Sequence, residues 1–117
     1  MDTQFTLTNL PAQNDGNDID IFSEHDYHRI NKSARVLRAV NHKFRQQVIK
    51  TIYENKRLTV TQLFVNLRVE QSVVSQHLAI LRKVGIVSTE RDGKFIFYTI
   101  NPARIKQINE FTEKLVG

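Results

Sequence analysis

The sequence predicts a mainly α-helical domain with one small β-hairpin, in the order ααααββα. Three observations carry this. Four successive stretches before residue 85 place apolar residues at helical spacing. After Gly85, two short β-prone runs flank Asp92-Gly93, the strongest short hairpin signal in the chain. Asn101-Pro102 then reads as the cap and first residue of a final helix.

Residues 1–22 are expected to form an acidic, unstructured tail, because PAQNDGNDID is polar and turn-rich and Phe5, Leu7 and Leu10 alternate too briefly for a strand. Residues 23–117 are expected to form the domain. Its first helix starts near Ser23, with Glu24 and Asp26 in the first turn, where acids suit the helix dipole. Tyr27, Ile30, Ala34 and Leu37 share one face of it. Asn41 is the expected cap of the second helix, whose inward stripe is Phe44, Val48, Ile49 and Ile52. Thr59 caps a short third helix with Val60, Leu63, Phe64 and Leu67 inward. After the turn at Arg68-Val69-Glu70, a fourth helix runs from about Gln71 to Val84, and Gly85 closes it. Strands are expected at about Ile86–Arg91 and Lys94–Ile100, and the last helix carries Ile105, Ile108, Phe111 or Thr112, and Leu115 on one stripe.

Composition narrows the function. Residues 1–26 hold six acids and no Lys or Arg, whereas all 17 basic residues follow from Arg29 onward against six acids, a net +11. Such a domain suits a polyanion, since each phosphate contact releases counterions, although a solvated basic surface has the same charge. The absence of Cys excludes disulfides, thiolate metal sites and thiol redox chemistry. No apolar run approaches the roughly 18 residues of a membrane span and no signal-peptide pattern opens the chain, so a cytoplasmic protein without membrane contact is expected. No nucleophile–base pair, glycine-rich phosphate loop or carboxylate cluster suggests an enzyme.

The fourth helix carries the sharpest signal. Stepping about 100° per residue from Leu78 puts Val74, Leu78 and Leu81 within about 60° of one another as the buried stripe. Ser72, Ser75, Gln76, Ala79 and Lys83 fall roughly opposite, and Gln71 lies in the first turn. Gln pairs with an adenine edge, and Ser serves a base or a phosphate. A polar-faced surface helix would look the same alone; the helical turn before it and the hairpin after it point to DNA. Arg91 and Lys94 flank the hairpin turn and suit a phosphate backbone. The DNA-binding candidates are therefore Gln71, Ser72, Ser75, Gln76, Lys83, Arg91 and Lys94, and Asp92 is assigned to turn chemistry. His77 is either a DNA contact or a histidine bonding across the turn. Ile80 falls outward, with no partner in the periodicity.

These residues resemble the ArsR/SmtB family of winged helix-turn-helix regulators. The match spans about Val40 to Leu115. It is strongest in Gln71-Ser72-x-Val74-Ser75-x-His77-Leu78-x-x-Leu81, then Gly85-Ile86-Val87, Arg91-x-Gly93-Lys94 and Tyr98, with Arg45 and Val48-Ile49 upstream. The resemblance implies a bacterial repressor that binds double-stranded operator DNA of near-palindromic sequence as a homodimer joined by its first and last helices. The stripes Tyr27/Ile30/Ala34/Leu37 and Ile105/Ile108/Leu115 fit that interface. The family's metal sites look absent. Thr59 and Thr61 stand where a Cys pair would sit, and the last helix has no His or Asp. No metal or cofactor is assigned, and the effector is unknown. His25 and His28, one turn apart beside Asp26, offer two nitrogens to a divalent metal but lack a third ligand, and give the alternative of a metal-responsive repressor. A winged-helix protein-interaction module is the other alternative. Arg68 and Glu70 depart from the family's usual turn Gly and capping Ser.

Overall fold

A computed structural model describes residues 21–117. The expected tail falls almost wholly outside the described residues, as do Phe5, Leu7 and Leu10; Ile21 and Phe22 precede the first helix without regular structure. The elements are α1 (Glu24–Val40), α2 (Lys43–Asn55), α3 (Val60–Leu67), α4 (Gln71–Lys83), β1 (Val87–Asp92), β2 (Phe95–Ile100) and α5 (Pro102–Val116), in the expected order. No described helix is long and apolar enough to cross a membrane.

Residues 21–30 carry their own helix start. The Ser23 Oγ accepts from the Asp26 N–H at 3.1 Å, and the Asp26 carboxylate accepts from the Ser23 N–H at 2.8 Å. This reciprocal capping satisfies two donors that a helix end leaves open. The bonds from the Ser23 backbone and then its side chain hold the Asp26 carboxyl below its ordinary range. The Phe22 and Tyr27 rings meet with centroids 5.5 Å apart.

From residue 31 onward, local signals set most boundaries. Thr59 and Gln62 form a capping box at the start of α3. The Asn101 side chain accepts from the Arg104 N–H, and Pro102 opens α5. The expected Asn41 cap of α2 is corrected to His42. The Asn41 N–H still bonds to the Leu37 carbonyl at 2.8 Å, closing α1. His42 is the extended residue whose side chain accepts from the Arg45 N–H. Arg68, in place of a turn glycine, adopts the left-handed conformation with φ of 59°, which costs a non-glycine residue on the order of 1 kcal/mol.

The hairpin turn is one residue later than expected. Asp92 pairs with Phe95 as the last rung of the ladder, so Gly93 and Lys94 form the loop. Gly93 has φ of 64° while Lys94 does not take a positive φ. That arrangement is the type II′ hairpin, which wants Gly first. A short bridge between Leu58 and Tyr98 adds the segment between α2 and α3 to the β2 edge.

The core is Val48, Ile52, Leu58, Leu63, Val74, Leu78, Leu81, Ile86 and Val87, all buried. It is supplied by α2, α3, α4 and the base of the hairpin. Each fully buried aliphatic side chain contributes about 1.5–3 kcal/mol. The α5 helix buries no residue completely; Ile105 and Ile108 pack against the core from its edge.

Candidate nucleic-acid interface

The apolar stripe of α4 decides what the helix shows to solvent. Val74, Leu78 and Leu81 are buried, with at most 2% exposure. Gln71, Ser72, Ser75, Gln76 and Lys83 are exposed. The amides and hydroxyls gather in the first half of the helix, and Lys83 stands at its far end. Glu70 caps the helix by backbone geometry alone, with no side-chain bond to the first turn.

The side chain of Arg45 sets the position of α4. Its Nε donates to the Ala39 carbonyl at 2.6 Å and its Nη2 to the Arg38 carbonyl at 3.2 Å. Its Nη1 lies 3.2 Å from Nδ1 of His77. A guanidinium only donates, so Nδ1 accepts and the imidazole proton lies on Nε2. One side chain thus binds the last carbonyls of α1 and the middle of α4. The His77 ring also packs between His42 and Phe44, at centroid distances of 5.0 and 4.9 Å. Burial foremost, then the charges of His42 and Arg45, lower its pKa from the ordinary 6.5. Of the two roles open to His77, its contacts support the structural one.

At the other end of α4, the Arg104 Nε donates to the Val84 carbonyl at 2.9 Å. This places a cation on the helix C-terminus, where the dipole favours it. Gly85 follows with φ of 80°, and a Cβ there would stand 3.4 Å from the Arg104 Nε. Glycine meets the left-handed backbone conformation, and a side chain there would only come into ordinary contact with Arg104.

The hairpin is held by Arg57. Its Nη2 donates to Asp92 at 3.1 Å, its Nη1 lies 3.9 Å from Glu90, and its guanidinium carbon sits 3.9 Å from the Phe97 ring centre. Asp92 is therefore more than a turn residue, which corrects the sequence expectation: it ends β1 and pairs with a cation 35 residues away. Glu90 and Asp92 alternate to one face of β1, and Phe97 lies opposite Glu90. Arg91 points to the other face, opposite Ile96, and Lys94 occupies the tip. The wing's two acids are thus matched by Arg57, while Arg91 and Lys94 remain exposed.

Arg45, Arg57 and Arg104 were missed as positioning residues. Arg45 was visible only as part of the family resemblance, and nothing in local sequence marks the other two. Among the expected dimer residues, Tyr27, Ile30 and Leu115 are exposed at 58%, 46% and 67%, and Ala34, Leu37, Ile105 and Ile108 are half-buried. His25 and His28 are exposed, and the Thr59 hydroxyl is taken by its cap bond. Among the described residues no three His, Cys, Asp or Glu side chains converge as metal ligands.

Residues 43–89, from the start of α2 into β1, match the family described as "Bacterial regulatory protein, arsR family". The transcriptional activator HlyU of Vibrio cholerae is 33% identical over 84 residues, covering 72% of this chain and 77% of that protein. The crystal structure of the transcriptional repressor PagR of Bacillus anthracis superposes with a TM-score of 0.59 at 32% identity, covering 73% of this chain and 98% of PagR. NolR from Sinorhizobium fredii superposes with a TM-score of 0.66 at 25% identity, covering 81% and 95%. With its winged helix-turn-helix fold and these relatives, the chain belongs to the ArsR family of transcriptional regulators.

Proposed function

We propose that the protein is a homodimeric repressor that reads a near-palindromic operator with α4. The observation that carries this reading is the division of α4: Val74, Leu78 and Leu81 are consumed by the core, and Gln71, Ser72, Ser75 and Gln76 are left exposed together. Inserted in a major groove, the first two turns present two amides and two hydroxyls to base edges. Arg91 and Lys94 lie on the phosphate backbone beside it, and Lys83 adds a cation at the far end of the helix. PagR and the biofilm growth-associated repressor of Xylella fastidiosa, 34% identical over 80 residues, are both repressors.

Pairing through α1 and α5 supports two-fold reading. Phe111 and Leu115 are exposed on α5 at 43% and 67%. A groove of about 710 Å³ runs along Val40, Ile49, Tyr53, Ile100, Ile105 and Ile108. A second copy covers such apolar surface at the cost of few polar groups. Operator occupancy blocks transcription, and an effector outside the family's thiolate sites relieves it.

Selection of duplexes from a random pool, followed by titration, tests the reading. Gln71→Ala or Ser75→Ala is expected to lose roughly 1–3 kcal/mol on the selected duplex and less on random DNA. Lys94→Ala weakens all duplexes alike and reduces the log–log salt slope by about 0.9. Equal losses for Gln71→Ala on both kinds of DNA would show that the helix does not read bases.

A further inference from the structure

A second feature lies behind α4, at the end away from Gln71. A cavity of about 710 Å³ opens between α1, the start of α2, the C-terminal half of α4 and Arg104 of α5. Six cations line it: Lys32, Arg35, Arg38, Arg45, Lys83 and Arg104, with no carboxylate among the lining residues. Two of them are engaged, Arg45 with the Ala39 and Arg38 carbonyls and Arg104 with the Val84 carbonyl and the Gln107 amide oxygen. Those acceptors are neutral, so no charge is cancelled. Lys32, Arg35 and Arg38 recur every three residues along α1, a spacing at which like charges repel. A concave wall of one sign concentrates the opposite ion, and guanidinium forks suit carboxylate and phosphate groups.

The cavity is not uniformly polar. Val36, Ala39, Ile80 and Val84 form its apolar wall. Ile80 is 39% exposed in the C-terminal half of a helix in which Val74, Leu78 and Leu81 are buried and Val73, at the other end, is exposed as well. The cavity wall gives Ile80, which the periodicity left without a partner, an apolar surrounding. A DNA phosphodiester has no apolar body to cover Ile80, whereas an organic anion does. Pockets of 300–1,000 Å³ with apolar walls and a few convergent charged groups suit molecules of that size.

We propose that this cavity binds a small amphipathic organic anion, its carboxylate or phosphate head on Arg35, Arg38 and Lys83 and its apolar body on Ile80 and Val36. Its regulatory consequence rests on the DNA-binding reading above. The ligand neutralises Lys83 and bridges α1 to the helix that carries Gln71 and Ser75, so it lowers operator affinity. By linkage, operator DNA lowers affinity for the anion by the same factor.

Binding is measured first without DNA, by calorimetry on the full chain with 2-naphthoate, acetate, inorganic phosphate and neutral naphthalene-2-carboxamide. The expected result is one 2-naphthoate per chain, bound at least about tenfold more tightly than the other three probes. Arg35→Ala with Lys83→Ala weakens it by about tenfold or more. Ile80→Ser erases the preference for naphthoate over acetate. All three substituted positions are solvent-exposed, and circular dichroism checks that the variants stay folded. Absence of 2-naphthoate binding, binding indifferent to these variants, or equal affinity for acetate and phosphate overturns the site. So does the outcome in which the variants weaken only duplex binding, which makes the patch a DNA backbone contact. The second measurement is duplex affinity with and without 2-naphthoate. A chain that binds 2-naphthoate as described but no duplex upholds the site and removes the DNA-binding reading. Unchanged duplex affinity in its presence overturns the regulatory half alone.

Discussion

Helices α4 and α5 are of similar length, 13 and 15 residues, and both carry an apolar stripe, yet the fold treats them oppositely. The stripe of α4 is consumed: Val74, Leu78 and Leu81 are sealed in the core. The stripe of α5 is not: Ile105 and Ile108 touch the core from its edge, and Phe111 and Leu115 stay largely exposed. A helix whose apolar face is satisfied within its own chain has a polar face to spend on a ligand. One whose apolar face is left open must find its partner elsewhere. Under the proposed function, the same periodic signal serves recognition in one helix and association in the other.

The largest test of this contrast is a matched pair of truncations. Leu78→Ala is expected to cost 2–5 kcal/mol of unfolding free energy, because a buried leucine leaves a cavity. Leu115→Ala should cost far less in the same urea titration and act instead on subunit association, read by sedimentation across a dilution series. If Leu115→Ala destabilises as much as Leu78→Ala with no change in mass, α5 is an ordinary core helix and the contrast fails.

A smaller effect is expected at the wing. Arg57→Ala frees Glu90, Asp92 and Phe97 from their shared cation. Exposed ion pairs contribute about 0.2–1 kcal/mol, so global stability should fall little. Amide exchange of β1 and β2 should nevertheless quicken, and duplex affinity should drop alike on selected and random DNA, because the two uncovered acids then lie near phosphate.

The smallest is a pH effect at His77. Its pKa is lowered in the folded chain by burial and by the neighbouring charges of His42 and Arg45. As pH falls below the ordinary 6.5, the unfolded chain takes up this proton first. The contribution of His77 is therefore whole above 6.5 and is lost as pH falls from there through the lowered folded value. Urea midpoints measured across that window should decline in the parent chain and decline less in His77→Gln. Parallel profiles would mean that the Arg45–His77 contact does not depend on a neutral imidazole.

Much of this was legible in the chain itself. Thr59 with Gln62, Asn101 with Pro102, and the spacing of Val74, Leu78 and Leu81 are relations within one or two helical turns, so the residues that make them are adjacent in sequence. The misreadings were also local, and each arose from a competing local partner. Asn41 has the chemistry of a cap, but its N–H is held by Leu37 and the role passes to His42. Asp92-Gly93 has the composition of a turn, but Asp92 stays in the ladder and Lys94 takes its place.

The sequence by itself determined the order of the elements, the inward and outward faces of α4, and the segregation of acids from cations, because periodicity, capping and charge depend on near neighbours. Tertiary structure alone decided which arginine holds which element. Arg45 meets His77 across 32 residues and Arg57 meets Asp92 across 35. It also decided that cations from four helices line one cavity with Ile80 at its wall. Such relations are set by chain crossings and side-chain reach, and no local pattern encodes them.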